Sequence, residues 1–548
     1  MNINLGRARF LKILLLFLSA CSAIPPAAPG NESIRAEVLK ADLHFLASDQ
    51  MRGRFVGTPQ NLLAAEYVRS RFERMGLSPA SPDGSFFQPF GLVTFTKGEA
   101  NALELRGLEG GPQSLGSGRD FTPLTFSAAG QARGGLVYAG FGIVAPPLSY
   151  DDYRGQDVRG KIVLVLEHEP GEQDPKSPFD GLVTSEFSIG WRKALAAQER
   201  GAAGILFVRD IHTHGRGGDF SGIAEGLWPT RPRRIELNSL AEWMDRIKIP
   251  AAQISVEVAA RLVRGSDRTL EDLSAAAETV TGLGVVQLPG PEVDLRVSVS
   301  RHAVPARNVV GLLEGSDPQL KREVVIVCGH FDHDGADGDR IFNGADDNGS
   351  GTIGVLDIAE AYVSSARTGR RPRRTILFAA WDAEERGLLG AWYYTEHPLR
   401  PLKDTVAVLN MDMIGRNEEV IEPGSGRFRG LEAQTAQSNA HAVNILGSTR
   451  SADLKSEAER ANGRIGLELK FRYDNNVSNL LRRSDHWPFL QCGVPAVWFF
   501  TGLHPDYHTP QDRPERVEYG KMQAVARLVH QMSWNLAEQD GRPRMDRR

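Results

Sequence analysis

From Asn308 onward the chain repeats one pattern: a short apolar run, then an acidic or histidine-rich segment, with helical stretches between. The runs are Val324–Val327, Thr375–Ala380, Val406–Leu409 and Ala496–Phe500, and helical periodicity follows Thr352 and Leu388. Strand–helix alternation predicts a mainly parallel sheet covered on both faces. In an open sheet of that kind, ligands bind in the crevice beyond the carboxyl ends of the strands.

Chemistry-bearing side chains accumulate at those ends. Val324–Cys328 leads into Gly329-His330-Phe331-Asp332-His333-Asp334-Gly335, and Gly344-Ala345-Asp346-Asp347-Asn348-Gly349-Ser350-Gly351 comes next. The strand ending at Trp381 leads to Asp382-Ala383-Glu384-Glu385-Arg386-Gly387. The next leads to Asn410-Met411-Asp412-Met413, and the last to His504-Pro505-Asp506-Tyr507-His508-Thr509. A single strand-end Asp caps a helix or orders a turn. Five such segments at one sheet edge call for a compensating cation, because the carboxylates repel one another. Imidazole plus carboxylate without thiolate suits zinc and its first-row neighbours. There is no His-Glu-x-x-His and no Gly-x-Ser-x-Gly, which disfavours the single-zinc protease helix and the serine hydrolase elbow.

The remainder bounds the setting. A chain of 548 residues is long enough for two domains. A net charge of -4 with no long basic run gives no support to a nucleic-acid partner. Arg7, Arg9 and Lys12 precede the apolar run Ile13–Leu18 and then Ser19-Ala20-Cys21, which reads as an export signal. The ending resembles a bacterial lipoprotein signal, with Cys21 as the lipidated first mature residue. That implies periplasmic or outer-membrane placement, with the membrane touched only through this anchor. Residues 21–31, rich in Pro and Ala, read as a flexible tether. Cys328 and Cys492 are the other two cysteines, and whether they pair stays open. Between about Gly134 and Thr281, Leu136–Tyr138, Lys161–Leu166 and Gly204–Val208 read as strands and Trp191–Glu199 as a helix. His212 and His214 fall in a Gly-rich loop there; metal binding is the minor alternative, and exposed loop histidines are the default reading.

The strand-end segments, taken in order, resemble the zinc exopeptidases that include bacterial leucyl aminopeptidases, glutamate carboxypeptidase and glutaminyl cyclase. His330-x-Asp332, Gly344-Ala345-Asp346-Asp347, Glu384-Glu385, Asn410-Met411-Asp412 and His508-Thr509 carry the resemblance, over roughly residues 32–125 and 290–535. The middle unit resembles a protease-associated insertion. The resemblance implies a three-layer α/β peptidase fold: signal 1–20, tether 21–31, peptidase part 32–130, a smaller β-rich insertion at 131–285, and a second peptidase part at 286–538.

It also implies two Zn²⁺ per chain. His330, Asp346 and Asp412 would hold one ion; Asp346, Glu385 and His508 the other, with Asp346 bridging. Asp332 would orient His330, Glu384 would be the general base, and Asp347 would follow the bridge in an unusual backbone turn such as a cis peptide. The segment Ser484-Asp485-His486 resembles a substrate-side segment of the family, and Asp485, His486 and Tyr507 are substrate-side candidates. His333, His504 and Asp506 lie near the metal loops, and Arg52-Gly53-Arg54 resembles a loop at the pocket rim. The implied activity is removal of N-terminal residues from peptides. A carboxypeptidase, a glutaminyl cyclase, or a metal-free peptide-binding relative of the kind transferrin receptor represents stand as alternatives.

Overall fold

Two sheets organise the chain. The computed structural model describes residues 25–546 apart from 108–110, 232–234 and 425. The expected signal, Cys21 and the start of the tether therefore lie outside the described residues.

The larger sheet has ten strands. Its parallel centre is built from the segments singled out by their apolar runs: Thr375–Trp381, Val324–His330, Thr405–Met411 and Ala496–Phe500 lie side by side in that order. Antiparallel strands flank them, with Phe87–Lys97 and Val299–Leu313 on one side and Ala442–Leu446 on the other. The sheet is thus mixed and largely parallel at its core. Every residue of the four central strands is buried, as a sheet covered on both faces requires.

Alternation along one strand shows the two cores. Val325 and Val327 pack with Ile353, Leu356, Val525 and Val529, from helices Gly351–Arg367 and Tyr519–Glu538. Val324, Ile326 and Cys328 face the opposite core, with Leu389, Trp487 and Phe489 from helices Leu389–Glu396 and His486–Gln491. Each such valine or isoleucine contributes roughly 1.5–3 kcal/mol of burial.

The second sheet has eight strands, running from Ala102–Arg106 to Val286–Val297 in the chain. It reaches beyond the expected 131–285 on both sides, because Ala102–Arg106 pairs with the far end of the segment, Leu295 opposite Leu103. That is a non-local pairing with no local signature. Its centre is again parallel, with Ile162–Leu166 between Gly130–Tyr138 and Gly204–Val208. Three tryptophans join the two units: Trp191 stacks on Trp243 at 4.9 Å, and Trp243 meets Trp392 edge-on at 6.0 Å.

Residues 25–31 do not behave as a loose tether. Ala28 is buried and its N–H donates to Gln531 Oε1 at 2.8 Å, while Gln531 and Arg464 donate to the carbonyls of Pro26 and Pro25. Cys328 is buried, Cys492 is exposed, and both are free thiols. Among the described residues, no helix is long and apolar enough to cross a membrane.

Candidate metal centre

The carboxyl ends of the parallel strands converge on one buried cluster. His330 ends its strand wholly buried, and its Nε2 faces three carboxylates: Asp347 at 3.5 Å, Asp412 at 3.5 Å and Glu384 at 3.7 Å. His508 Nε2 faces the other oxygen of Asp347 at 3.0 Å and Glu385 at 3.4 Å. Asp347 therefore stands between two imidazoles, one carboxylate oxygen toward each.

These separations fit ions better than direct hydrogen bonds. His330 Nε2, His508 Nε2 and Asp412 Oδ1 are buried atoms without a hydrogen-bond partner, a costly condition unless something else binds them. Ligand distances near 2.0–2.1 Å in a tetrahedron place neighbouring donors about 3.3 Å apart. The His330–Asp347, His330–Asp412, His508–Asp347 and His508–Glu385 separations all lie near that edge length. The donors are nitrogen and oxygen only, a set that suits zinc. Burial opposes charge on His330, but Glu384 and Asp412 hold its pKa well above the ordinary histidine value. Burial pushes the Glu384 carboxyl well above the usual carboxylate range.

Asp346, expected to bridge, does not join this cluster. Its Oδ1 accepts from Gly415 N–H at 2.6 Å, and its Oδ2 lies 3.3 Å from His504 Nε2. The turn at Ala345–Ser350 sends the two successive aspartates to different partners. Asp512 fixes that turn by accepting from the N–H groups of Asp346 and Asp347 at 3.0–3.1 Å. The cis peptide joins Asp347 to Asn348, so it follows the residue that stands between the histidines.

Neighbouring groups hold the cluster. The Asp332 backbone carbonyl lies 3.3 Å from His330 Nδ1 with its carboxylate 3.6 Å away, and that carboxylate accepts from the N–H groups of Glu384 and Glu385 at 3.0 and 3.3 Å, so Asp332 orients the ring and fixes the acidic turn together. Asp334 serves His508 in the same way, at 3.0 Å from its Nδ1, while accepting from Arg386. His333 is buried with Nδ1 2.7 Å from Glu385 Oε1. Ser484 donates to Asp412 Oδ2 at 2.6 Å, and Trp498 donates to the Asp412 carbonyl. Asp506 is turned outward to Arg416 and Arg516.

Of the substrate-side candidates, Tyr507 lines the pocket beside the cluster and accepts a hydrogen bond from Arg483 at 3.0 Å. Asp485 and His486 do not line it. Both are fully buried, and His486 packs against Trp498, its pKa pushed down to about 3 by burial. The member of that segment that reaches the cluster is Ser484. Asp334 and Asp512 had no assigned role in the sequence reading; Asp334 stood inside a singled-out segment, and Asp512 follows His508 by four residues.

Arg54, placed by resemblance in a loop at the pocket rim, turns out to be a buried brace. It is fully buried and donates to four backbone carbonyls: Phe331, Leu46, Asn343 and Gly344, at 2.7–2.9 Å. It ties helix Ala36–Leu46 to the two loops that carry His330 and Asp347, and burial pushes its pKa down to about 10. Arg54→Met orphans four buried acceptors, each worth about 1–3 kcal/mol. We expect at least about 3 kcal/mol of destabilisation, read as a clear fall in melting temperature; an unchanged melting temperature contradicts the bracing role.

The pocket beside the cluster has a volume of about 620 Å³. Trp191, Trp243, Trp392, Trp487 and Trp498 form much of its wall. Two of its three arginines have carboxylate partners: Arg386 pairs with Asp334 at 3.0 Å, and Arg482 with Glu186 at 3.0 Å, a carboxylate that also faces Arg192 at 3.6 Å.

Comparison with known proteins agrees with this geometry. Residues 308–533 match the model of peptidase family M28. The chain is 26% identical over 488 residues to a probable glutamate carboxypeptidase of Arabidopsis thaliana, covering 83% of this chain and 61% of that one. It is 27% identical over 522 residues to transferrin receptor protein 2 of Rattus norvegicus, covering 89% of this chain and 59% of the receptor. In both cases the match spans about three-fifths of the relative's length. An aminopeptidase from Aneurinibacillus sp. strain AM-1 shares the fold, with a TM-score of 0.50 and 18% identity over 94% of this chain and 97% of that one. The strand-end cluster lies wholly within residues 308–533, so the segment that carries it is the one that matches peptidase family M28.

Proposed function

We propose that the chain is an aminopeptidase that binds two zinc ions, with Asp347 bridging. His330 and Asp412 complete one site, Glu385 and His508 the other. The observation that carries the two-ion reading is the position of Asp347, with one oxygen toward His330 and the other toward His508. Bound divalent ions there would acidify a water and polarise the scissile carbonyl.

The chain's own groups do the rest. Glu384 sits 3.7 Å from His330 Nε2 with its backbone fixed by Asp332, so its carboxylate accepts a proton from the attacking water and returns it to the departing amine. Asp332 and Asp334 hold the two imidazoles with the correct nitrogens inward. The tryptophan wall accepts an apolar side chain and excludes water from the reacting bond. The convergence of every expected donor type on one point favours an enzyme over a metal-free binding relative.

Aminopeptidase activity is favoured over the glutamate type of carboxypeptidase by charge. Two substrate carboxylates need cations free to turn toward them, and Arg386 and Arg482 are already engaged by Asp334 and Glu186. A second reading rests on Arg483, whose hydrogen-bond partner is the neutral Tyr507 hydroxyl; that guanidinium is the group suited to a C-terminal carboxylate.

Aminoacyl anilides with a free amine, set beside N-blocked peptides with a free carboxylate, separate the two. We expect hydrolysis of the anilides, with a preference for bulky apolar residues, loss of at least about 100-fold on chelation, and recovery with zinc. Hydrolysis confined to the N-blocked peptides selects the carboxypeptidase reading. Activity that persists through chelation refutes both.

A further inference from the structure

The second sheet repeats, on a smaller scale, the geometry of the first. Ile162–Leu166 and Gly204–Val208 are parallel neighbours with Leu166 opposite Val208. The segments leaving them emerge side by side at the carboxyl edge, where ligand groups gather in parallel sheets. One carries His168 and Glu172; the other carries the helical turn Ile211–His214. Of the two loop histidines noted in the sequence, the structure brings His214, not His212, to this group.

The three side chains meet. His168 and His214 stack with centroids 3.9 Å apart and planes 26° apart. His168 Nδ1 lies 3.3 Å from one oxygen of Glu172, and His214 Nε2 contacts the other. One nitrogen or oxygen from each lies within 4.8 Å of the others.

The backbones beneath them are fixed independently. The His168 carbonyl accepts from Lys193, which is fully buried and also donates to Leu166 at 2.9 Å. Arg209 donates to the His214 carbonyl at 3.1 Å, and Asp210 caps the turn by accepting from His212 N–H at 3.0 Å. A further carboxylate, Glu278, accepts from Gly171 N–H at 2.7 Å and Thr213 Oγ1 at 3.4 Å, so it joins the two segments without entering the group.

We propose that His168, Glu172 and His214 form a divalent-cation site separate from the peptidase centre. Two stacked imidazoles cannot both be protonated beside one carboxylate without repulsion, whereas one ion engages two neutral rings and the carboxylate together. Two nitrogens, one oxygen and no thiolate suit zinc or a first-row neighbour. The site is partly open, with His168 and His214 side chains 37% and 25% exposed, which leaves a face for water as a fourth ligand. Its consequence follows from the chain: the segment beyond Glu172 runs to Glu186, whose carboxylate accepts from Trp487 at 2.7 Å and Arg482 at 3.0 Å at the pocket wall. An ion at His168 fastens the near end of the segment that closes this wall.

Zinc per chain, measured by elemental analysis after dialysis of the full chain against buffered free zinc, tests it. His214→Ala is compared with the parent and, on a second background, with Asp347→Asn. We expect His214→Ala to lose one equivalent on both backgrounds, with hydrolysis retained in the variant that keeps Asp347. The Asp347→Asn background makes the result independent of the peptidase centre, because an equivalent that survives there and disappears with His214 belongs to this site. If His214→Ala does not fold, by circular dichroism, Glu172→Gln takes its place with the same expectation. Zinc content equal to the parent in a folded variant overturns the proposal and leaves an ion-paired clamp.

Discussion

Glu384→Gln lowers kcat by about 10²–10⁴-fold, the range for loss of a positioned general base, while zinc content stays at the parent's level. The size of the effect follows from geometry. The residue is nearly buried, its N–H is held by Asp332, and its carboxylate is 3.7 Å from the nearest cluster nitrogen, His330 Nε2. Gln fills the same volume and keeps the turn, so the ligands are not disturbed. What disappears is the proton acceptor. Steady-state kinetics and elemental analysis on one sample check both halves. A variant that keeps most of its turnover shows that another group takes the proton, and one that loses zinc shows that Glu384 is a ligand.

The second large effect separates two adjacent aspartates. Asp347→Asn removes the charge shared by both halves of the cluster and leaves His330 and His508 facing an amide. Hydrolysis falls at least about 10³-fold, because ion binding and water activation fail together. Asp346→Asn retains most activity. Its carboxylate serves Gly415 N–H and His504, and an amide oxygen still accepts from Gly415. The contrast is informative because the two residues are chemically identical and one bond apart along the chain.

That same pair shows where sequence reasoning stopped. His330, Asp332, Glu384, Glu385, Asp412 and His508 stand out because they follow apolar strands, and parallel strands deliver their ends to one edge. The position of the bridge did not stand out. Asp346 and Asp347 share a segment and a residue type, and only the turn at Ala345–Ser350, fixed by Asp512, decides which carboxylate faces inward. Arg54 was noticed only as part of a rim loop, and its bracing role was unreadable for another reason: its partners are backbone carbonyls, which carry no residue-type signal. Asp485 and His486 were substrate-side candidates by resemblance, yet at the start of helix His486–Gln491 both are fully buried, and Ser484 is the residue set against Asp412. The central parallel strands of both sheets were legible from continuous apolar runs, whereas Ala251–Ile254 beside Gly204–Val208 and the parallel pair Ala442–Leu446 and Glu468–Lys470 were not. The pairing of Ala102–Arg106 with Val286–Val297 was not, since nothing local to either strand encodes a partner nearly two hundred residues away.

Zinc bound per chain in Asp347→Asn and Asp346→Asn, prepared beside the parent and confirmed folded, is the measurement that bears most directly on the metal centre. Asp347→Asn should lose the zinc that supports hydrolysis, and Asp346→Asn should hold as much as the parent. The reverse outcome, with zinc kept by Asp347→Asn and lost by Asp346→Asn, would contradict a centre built around Asp347.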